Sequence, residues 1–436
     1  MTSPQVRKVQ IDASSHCQLA CPVCPTANGL TKPVLGAGHL KVADFERLLD
    51  RNPEIQEVEL SNYGEMFLNP QLPELLACAY ERKVVVSGSN GVNLNFATEA
   101  ALEAVVKYRV RALTCCIDGA TQANYARYRV NGNLDRVLRH IDRIRELRHL
   151  HRSAFPLLDW QFVVMGHNEQ ETEMAKGLAQ SRGMQFLPRL SWNADHSPVV
   201  NTELVRIETG LPAASREEFR QSEGVSYTRS LCYQLWQAPV VNWNGKMLGC
   251  CVNYWGDFGA NVFEEGLTAA MQHPLMEQAR GMLLGETAAV PGIPCTTCDQ
   301  YREMSASGTW LDPAEIAASQ SGDILTGLVL KNSLQAKFAR VAVHEGVAEQ
   351  AVFGSLGRVF RFGTDTAVYF RAGGPGLYTI FVQGLGAGGW LPVVRHLVEV
   401  RERPVCQEFE VDTSGSSIEA TPAGTRPAVP VSSWIR

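Results

Sequence analysis

Residues 6 to about 192 alternate short β-branched runs with segments of helical periodicity, which restricts the possible folds more than any other feature of this sequence. Six runs have the length and apolar content of buried strands: KVQIDAS, VELSNYGE, KVVVSGSN, ALTCCIDG, DWQFVVMGHN and QFLPRLSW. Within residues 134–147, apolar side chains recur at spacings of three and four, which predicts an amphipathic helix. Weaker helical patterns occupy residues 42–49, 102–106 and 174–178, the last ending at Gly183. The order of these elements predicts an α/β fold, either a parallel sheet or a partial (β/α)6 barrel of the TIM type.

Polar and sulfur-containing segments follow five of the predicted strands. In β/α barrels the loops after the strands converge on one mouth, and the chemistry gathers there. The segments, in strand order, are the CQLACPVC loop, NYGEMFLNP, SGSNG, CIDG and MGHN. We therefore expect these five loops to lie on the same rim.

The first of these loops carries Cys17, Cys21 and Cys24. Thiolates at such spacings bind zinc or an iron-sulfur cluster. Structural zinc needs four closed ligands, and the only nearby fourth candidate, His16, is badly placed because it is adjacent to Cys17. A four-iron cluster can instead be held by three cysteines, which leaves one iron open to chelate a small molecule. Zinc and incidental thiols are the alternatives.

A second group of thiols lies in SLCYQLW, GKMLGCCVNYW and IPCTTCDQY. Four cysteines from these segments would close an iron-sulfur cluster completely, and the alternative is a zinc module with four cysteine ligands. These are Cys232, Cys250, Cys295 and Cys298. Either Cys250 or Cys251 could be the second ligand. The five cysteines outside both groups are predicted to be small buried hydrophobic residues: Cys78, Cys115, Cys116, Cys251 and Cys406.

The CxxxCxxC pattern after the first barrel strand resembles the radical S-adenosylmethionine (radical SAM) superfamily. The resemblance implies a [4Fe-4S] cluster with three cysteine ligands, whose open iron binds the amino and carboxylate groups of SAM. It also implies an external reductant, such as flavodoxin or ferredoxin, and reductive cleavage of SAM to a 5′-deoxyadenosyl radical that removes a substrate hydrogen. In such enzymes the cofactor supplies the difficult chemistry and the protein supplies placement.

The resemblance extends to three further strand ends. YGEMFLNP looks like the Gly-Gly-Glu segment that receives the SAM ammonium, with Tyr63 in place of the first glycine and Gly64 and Glu65 matching. SGSNG resembles the strand end that contacts the ribose, which implies cofactor contacts at Ser87, Ser89 and Asn90.

A stretch beginning at CIDG is similar to a recurrent stretch of the superfamily and implies that Arg129 pairs with the SAM carboxylate, for which its planar fork of donors is suited. Two positions depart from the usual pattern. Val23 stands where an aromatic residue is common, and Cys116, also implied near the cofactor, stands where Ser is common.

The second cysteine group resembles the twitch form of the SPASM extension found after many radical SAM barrels. Its separations of 18, 45 and 3 residues, counted through Cys250, are similar to those of 2-deoxy-scyllo-inosamine dehydrogenase of aminoglycoside biosynthesis. The resemblance implies one auxiliary [4Fe-4S] cluster with four cysteine ligands, and it favours Cys250 over Cys251.

These features predict a radical SAM enzyme that acts on a hydroxylated small molecule, such as a sugar, an aminocyclitol or an aminoglycoside-like compound. Hydrogen abstraction at a carbinol carbon would lead to dehydrogenation or, as in related aminoglycoside diol dehydratases, to loss of water. Either outcome needs a proton donor or acceptor, and the candidates after the sixth strand are Arg189, Asp195 and His196.

Two other functions remain open. One is modification of a peptide by thioether formation or epimerisation; it is less favoured because the first strand begins within ten residues of the start and leaves no room for an N-terminal peptide-recognition domain. The other is a non-catalytic iron-sulfur electron carrier, which would not need SAM-like features on four strand ends.

The sequence as a whole predicts that the chain is divided into four parts. They are a barrel over residues 1–195, an auxiliary cluster module over 196–320, an all-β domain over 321–412 and a flexible tail over 413–436. A formal charge of −5 without basic runs argues against binding of duplex nucleic acid or an anionic membrane. With no long apolar run, a cytoplasmic location is expected.

Overall fold

An eight-stranded sheet with the strand order β6-β5-β4-β3-β2-β1-β7-β8 dominates the computed structural model. The structure describes residues 6–319, 324–333, 335–353, 360–361, 365–413, 417–418, 420–421 and 431–432. The strands of this sheet are β1 (Lys8–Ile11), β2 (Glu57–Glu59), β3 (Val85–Val92), β4 (Ala112–Cys116), β5 (Leu157–Val164), β6 (Gln185–Leu190), β7 (Val240–Val241) and β8 (Met247–Gly249).

All six predicted barrel strands are confirmed, and neighbours among β1–β6 pair in parallel. Two more strands extend the sheet: β7 pairs in parallel with β1, with Gln10 opposite Val240, and β8 pairs antiparallel with β7. The chain between residues 231 and 312 therefore does more than form a separate module, because it continues the barrel sheet beside its first strand.

Seven helices of this part accompany the sheet; the four segments with helical periodicity are helical as predicted, although Met174 in the last of them is exposed. They are α1 (Lys32–Leu35), α2 (Val42–Arg51), α3 (Leu72–Glu81), α4 (Glu99–Lys107), α5 (Gln122–Tyr128), α6 (Leu134–Leu150) and α7 (Thr172–Ser181). In α6 the side chain of Asn133 caps the first turn by accepting a hydrogen bond from the Arg136 amide, and Val137, Ile141 and Ile144 are fully buried.

Residues 193–230 contain two helices. The next helices are α8 (Thr202–Thr209), α9 (Arg216–Glu223), α10 (Gln234–Gln237), α11 (Val262–Glu265), α12 (Leu267–Met271), α13 (Pro274–Leu283), α14 (Asp299–Ser307) and α15 (Pro313–Ala318). Short 3₁₀ helices occupy residues 66–68, 169–171, 229–233 and 294–297. Within the described chain, no helix combines the length and apolar character needed to cross a bilayer.

The C-terminal part is all-β, as predicted. Its strands are β9 (Ile324–Lys331), β10 (Phe338–Glu345), β11 (Ala351–Val352), β12 (Phe360–Arg361), β13 (Asp365–Ala372), β14 (Gly376–Gly386), β15 (Gly389–Val400), β16 (Cys406–Asp412), β17 (Ser417–Ile418), β18 (Ala420–Thr421) and β19 (Val431–Ser432). They form a four-stranded sheet β16-β9-β13-β19, a five-stranded sheet β12-β10-β14-β15-β17 and the pair β11-β18. Apart from Thr413 and the strands β17 to β19, the predicted flexible tail lies outside the described residues.

The C-terminal sheets pack against the amino-terminal ends of the barrel strands. Val85 at the start of β3 and Phe155 just before β5 share one apolar cluster with Val329 and Cys406. Arg403 adds a 2.8 Å hydrogen bond from its Nη1 to the carbonyl oxygen of Pro53. The cysteine loop lies at the opposite end of the sheet, because it follows the carboxyl end of β1.

Candidate active site

The loop between β1 and α1 carries the three N-terminal cysteines. Its turn is closed by a 3.1 Å hydrogen bond from the Cys24 amide to the Cys21 carbonyl oxygen. The Ala20 amide donates to the carbonyl oxygen of Val130 at 3.1 Å, which ties the loop to the segment after α5. The three thiols therefore lie at the carboxyl end of the first strand, as the sequence predicts.

Cys17 and Cys21 lie in surroundings that favour the neutral thiol. Burial, followed by the nearby Glu65 carboxylate, raises the pKa of Cys17 to about 12. Burial also raises the pKa of Cys21, although Arg129 opposes that shift. Both side chains are therefore neutral thiols at pH 7 in the absence of a metal, and a bound metal ion would deprotonate them.

Zinc and an iron-sulfur cluster require different spacings of their sulfur ligands. All twelve cysteines are free thiols, yet in the described residues no three Cys, His, Asp or Glu side chains converge closely enough to hold one metal ion. Zinc requires its four ligand atoms at about 2.0–2.3 Å from a single centre. In an iron-sulfur cube each thiolate binds a different iron, so the sulfur atoms lie further apart.

The Tyr63–Glu65 segment lies directly against the cysteine loop. The Glu65 amide donates to the carbonyl oxygen of His16 at 2.7 Å, and the Tyr63 amide donates to Oδ1 of Asp12 at 3.1 Å. Gly64 leaves no room for a side chain, since a Cβ there would lie 1.6 Å from the Ser14 carbonyl oxygen. Glycine at this position is thus a steric requirement for joining the two loops.

Glu65 is a buried carboxylate held by backbone amides. Its Oε1 accepts from the Phe67 amide at 3.2 Å, and its Oε2 accepts from the Asn93 amide at 2.7 Å. Burial raises its pKa to about 7, although these bonds oppose the shift. A cation placed against it would favour the ionised form, so the side chain is suited to receive an ammonium group.

Asn93 connects Glu65 to the cysteine loop and was not predicted from the sequence. Its Nδ2 lies 3.7 Å from Cys17 Sγ, and its Oδ1 accepts a 2.6 Å hydrogen bond from Gln18. The segment NGVNLN contains three asparagines. No signal in the sequence separated Asn93 from its neighbours.

The predicted ribose contacts divide into two environments. Ser87 is buried and donates to Glu59 Oε2 at 2.7 Å, so its hydroxyl already has a partner inside the protein. Ser89 and Asn90 are exposed at the end of β3, and the Asn90 side chain donates to Asn62 at 2.9 Å. Ser89 and Asn90 are the more accessible of the three.

Arg129 lies between the first thiol group and a buried carboxylate. Its Nε donates to Asp118 Oδ2 at 2.6 Å, and its Nη1 lies 3.8 Å from Cys21 Sγ. The Asp118 side chain is fully buried, and its Oδ1 accepts from the Val163 amide at 2.8 Å. Asp118 thus orients the guanidinium through Nε, and this pairing was not predicted from the sequence.

Cys116 lies in the same region. Gln161 Nε2 is 3.4 Å from its sulfur, and a Cβ on Gly91 would lie 2.7 Å from it. Burial raises the Cys116 pKa to about 11, with Arg129 opposing the shift. Cys116 is therefore a buried neutral thiol, as expected for the cysteines outside the two groups, and it adjoins the predicted cofactor region.

The buried pair leads to a prediction about stability. Arg129→Gln is expected to lower the free energy of unfolding by about 3–5 kcal/mol, because it leaves the Asp118 carboxylate buried without its counter-charge. Arg139→Gln is the matched control, since Arg139 pairs with Asp135 on the exposed side of α6, and it should change stability by less than about 1 kcal/mol. Urea unfolding of the metal-free chain measures both variants. Equal effects would contradict a structural role for the buried pair.

Of the three residues predicted to act on the substrate, Asp195 and His196 lie in one turn, whereas Arg189 lies in β6. Arg189 lies within β6 rather than after it, and its side chain is exposed. The amides of Asp195 and His196 both donate to Asn193 Oδ1, at 3.0 and 3.1 Å. The His196 ring lies 5.8 Å from the Tyr128 ring, beside Arg129. Among the described residues, neither the Arg189 nor the Asp195 side chain forms a hydrogen bond or an ion pair with the cysteine loop.

The four predicted auxiliary ligands line one cavity with largely apolar walls. They are Cys232, Cys250, Cys295 and Cys298. Burial, and after it the proximity of Cys298, raises the pKa of Cys295 to about 12. Four thiols around one apolar cavity suit a fully ligated iron-sulfur cluster.

Cys251 has a different environment. It is not among the residues that line the cavity, and it packs with the rings of Tyr63 and Tyr254. Its amide donates to Gln234 Oε1 at 2.8 Å, and Gln234 in turn donates to Gln10 of β1 at 3.2 Å. The second thiol group is thereby attached to the first barrel strand.

The sheet has parallel neighbours from β1 to β6, and the three cysteines follow its first strand, as the sequence predicts. No family model matches the chain, and no curated protein is similar to it. Solved structures that are similar to it include SuiB from Streptococcus suis bound to S-adenosylmethionine, at 14% identity and a TM-score of 0.49 over 68% of this chain and 71% of SuiB.

Two further similar structures also contain SAM. The native anSMEcpe structure with bound AdoMet has 12% identity and a TM-score of 0.45 over 68% of this chain and 87% of that one. The BtrN complex with AdoMet and 2-DOIA has 15% identity and a TM-score of 0.36 over 68% and 94%. At these values the likeness alone does not assign a substrate.

Proposed function

We propose that this chain is a radical SAM enzyme that removes a hydrogen atom from a hydroxylated small molecule, leading to dehydrogenation or loss of water. Cys17, Cys21 and Cys24 hold a [4Fe-4S] cluster with one iron open to SAM. A second group of four cysteines holds an auxiliary [4Fe-4S] cluster: Cys232, Cys250, Cys295 and Cys298.

The observation that carries this proposal is the direct bonding of three other strand ends to the thiol loop. Glu65 after β2 bonds to His16, Asn93 after β3 reaches Cys17, and Arg129 in the segment after β4 reaches Cys21. A metal site used only for structure would need the thiols alone. A buried carboxylate and a guanidinium beside an incomplete set of thiols suit a zwitterionic ligand with an ammonium and a carboxylate group.

When bound, the cluster and SAM would supply the chemistry that removes a hydrogen atom from the substrate. The residues of the chain supply placement. Glu65 receives the ammonium group, and Arg129, oriented by Asp118 through Nε, offers its remaining donors to the carboxylate. Ser89 and Asn90 are the accessible ribose contacts, and His196, beside Tyr128, is the best-placed proton donor or acceptor.

The four thiols of the second group would fill every ligand position of an auxiliary cluster, which leaves none for the substrate. Such a cluster can accept an electron or support the fold. A dehydrogenation needs an electron acceptor within the protein, whereas loss of water does not. Flavodoxin or ferredoxin would provide the electron for SAM cleavage.

Anaerobic reconstitution with iron, sulfide, SAM and dithionite tests this proposal. We expect 5′-deoxyadenosine to form only when reductant is present. With cationic, neutral and acidic polyols as candidate substrates, among them 2-deoxy-scyllo-inosamine and glucuronate, a product lighter by two hydrogens would indicate dehydrogenation, and one lighter by water would indicate dehydration.

Deuterium on the reacting carbon should appear in the 5′-deoxyadenosine. The absence of 5′-deoxyadenosine from fully reconstituted protein would contradict the proposal and favour an electron carrier. Turnover with a peptide but with none of the polyols would favour the peptide-modifying alternative.

A further inference from the structure

A stacked guanidinium lies at the carboxyl end of β6, on the mouth side of the sheet. Arg216, the first residue of α9, donates from Nε to the Ser191 carbonyl oxygen at 3.0 Å and from Nη2 to the Leu190 carbonyl oxygen at 3.5 Å. Its guanidinium carbon lies 3.5 Å from the centre of the Trp192 ring and 5.0 Å from the Tyr227 ring. Two carbonyls and two aromatic rings thus fix the orientation of this cation.

Arg216 has no counter-anion among the described residues. Its Nη1 is buried without a hydrogen-bond partner, and no carboxylate lies within ion-pair distance of it in the part of the chain that the structure describes. A second cation, the guanidinium of Arg189, is close enough to repel the charge of Arg216. Burial lowers the Arg216 pKa to about 10, the Tyr227 phenol opposes the shift, and Arg189 adds to it.

The environment of Arg129 shows the contrast. That guanidinium is also buried, but Asp118 lies 2.6 Å away. A buried cation without an anion is costly, so an unmatched one held rigidly at the mouth of a barrel indicates that its partner arrives with a ligand. A planar guanidinium suits carboxylate and phosphate groups in particular.

The surroundings of Arg216 are open enough for a ligand to approach. Trp192, which covers one face of the guanidinium, is 60% exposed, and the Arg189 side chain is exposed as well. Because Trp192 and Arg189 are both exposed, a ligand in solvent can reach the groups that surround this guanidinium.

We propose that Arg216 and Arg189, together with Trp192, form a subsite for an anionic group, a carboxylate or a phosphate, on the small-molecule substrate. The inference rests on the proposed function in placing the substrate at this rim. It narrows the hydroxylated substrate to an acidic class, such as a uronate or a sugar phosphate. Polycationic aminoglycosides would be repelled by the two arginines.

Three probes with the same sugar ring test the subsite: glucose 6-phosphate, glucuronate and glucose. We expect one or both anionic sugars to bind the reconstituted protein, measured by calorimetry and by tryptophan fluorescence, and glucose not to bind at the same concentrations. Binding of only one anionic sugar identifies the group as phosphate or carboxylate. Equal binding of all three sugars, or binding of none, would overturn the inference.

Variants show whether the arginines are responsible. Arg216→Gln should weaken anion binding at least about tenfold, since it removes charge-assisted hydrogen bonds. Arg189→Gln should weaken it several-fold, and because that side chain is exposed the variant should fold normally. Arg220→Gln is the matched control, because Arg220 lies one turn further along α9 and pairs with Glu217 at 2.6 Å. Equal weakening by the control would contradict the assignment.

The same samples separate this inference from the proposed function. Anion binding that depends on Arg216, in protein that forms no 5′-deoxyadenosine, would keep the subsite and overturn the radical SAM proposal. SAM cleavage without anion binding would support the radical SAM proposal and overturn the subsite. Substrate-free SAM binding should be unchanged in Arg216→Gln.

Discussion

Cys21→Ser is expected to lower the iron content of the reconstituted chain from about eight to about four atoms and to abolish formation of 5′-deoxyadenosine. With only two thiolates left in the loop, a cube attached through three irons loses one attachment and no longer holds SAM at an open iron. The Cys21 side chain is buried, and its sulfur lies 3.8 Å from Arg129 Nη1; its carbonyl oxygen accepts the hydrogen bond from the Cys24 amide that closes the turn. Iron analysis and the electron paramagnetic resonance spectrum with and without SAM measure the effect.

Cys251→Ser is the control for Cys21→Ser. Cys251 is partly buried among Tyr63 and Tyr254 and is not among the residues that line the auxiliary cavity. The Cys251→Ser protein should therefore retain about eight iron atoms and cleave SAM normally. If Cys251→Ser lost iron while Cys250→Ser kept it, the assignment of Cys250 as the auxiliary ligand would be wrong. If Cys21→Ser kept both its iron and its response to SAM, the three-thiol site would be wrong.

The elements that place these thiols follow from local sequence. The six barrel strands are buried apolar runs, and α6 buries the residues that its periodicity selects, so pattern and burial coincide. The three cysteines lie within eight residues of one another directly after β1, so a single loop carries all three. These features could be predicted because each depends on residues close together in the chain.

Contacts between distant segments could not be predicted in this way. The addition of β7 beside β1 joins residues about 230 positions apart through runs of only two to four residues. The pairing of Asp118 with Arg129 depends on where the segment after α5 returns to the sheet. The Ser87 hydroxyl was predicted to contact a ribose, but it lies next to Glu59, whose role becomes visible only when β2 and β3 pair. Its proposed cofactor contact is still a prediction.

Gly64→Ala is expected to disrupt the cofactor site although it adds only a methyl group. Its Cβ would lie 1.6 Å from the Ser14 carbonyl oxygen and 2.5 Å from the Ser14 carbonyl carbon. Both neighbours are backbone atoms, so no rotation of a side chain can relieve the overlap. The Tyr63–Glu65 segment must move away from the cysteine loop, which breaks the 2.7 Å hydrogen bond from Glu65 to His16.

We expect this substitution to lower the free energy of unfolding by about 3 kcal/mol or more and to abolish the spectral response of the cluster to SAM. Gly177→Ala is the matched control, since Gly177 lies within α7 and a Cβ there would meet nothing within 4 Å. That change should raise the stability by about 0.5–1 kcal/mol, because alanine favours a helix interior over glycine. Urea unfolding and titration with SAM measure both variants. A Gly64→Ala protein with normal stability and a normal response to SAM would show that the two loops are not held together in the way described, and the placement of Glu65 against the cofactor would fail with it.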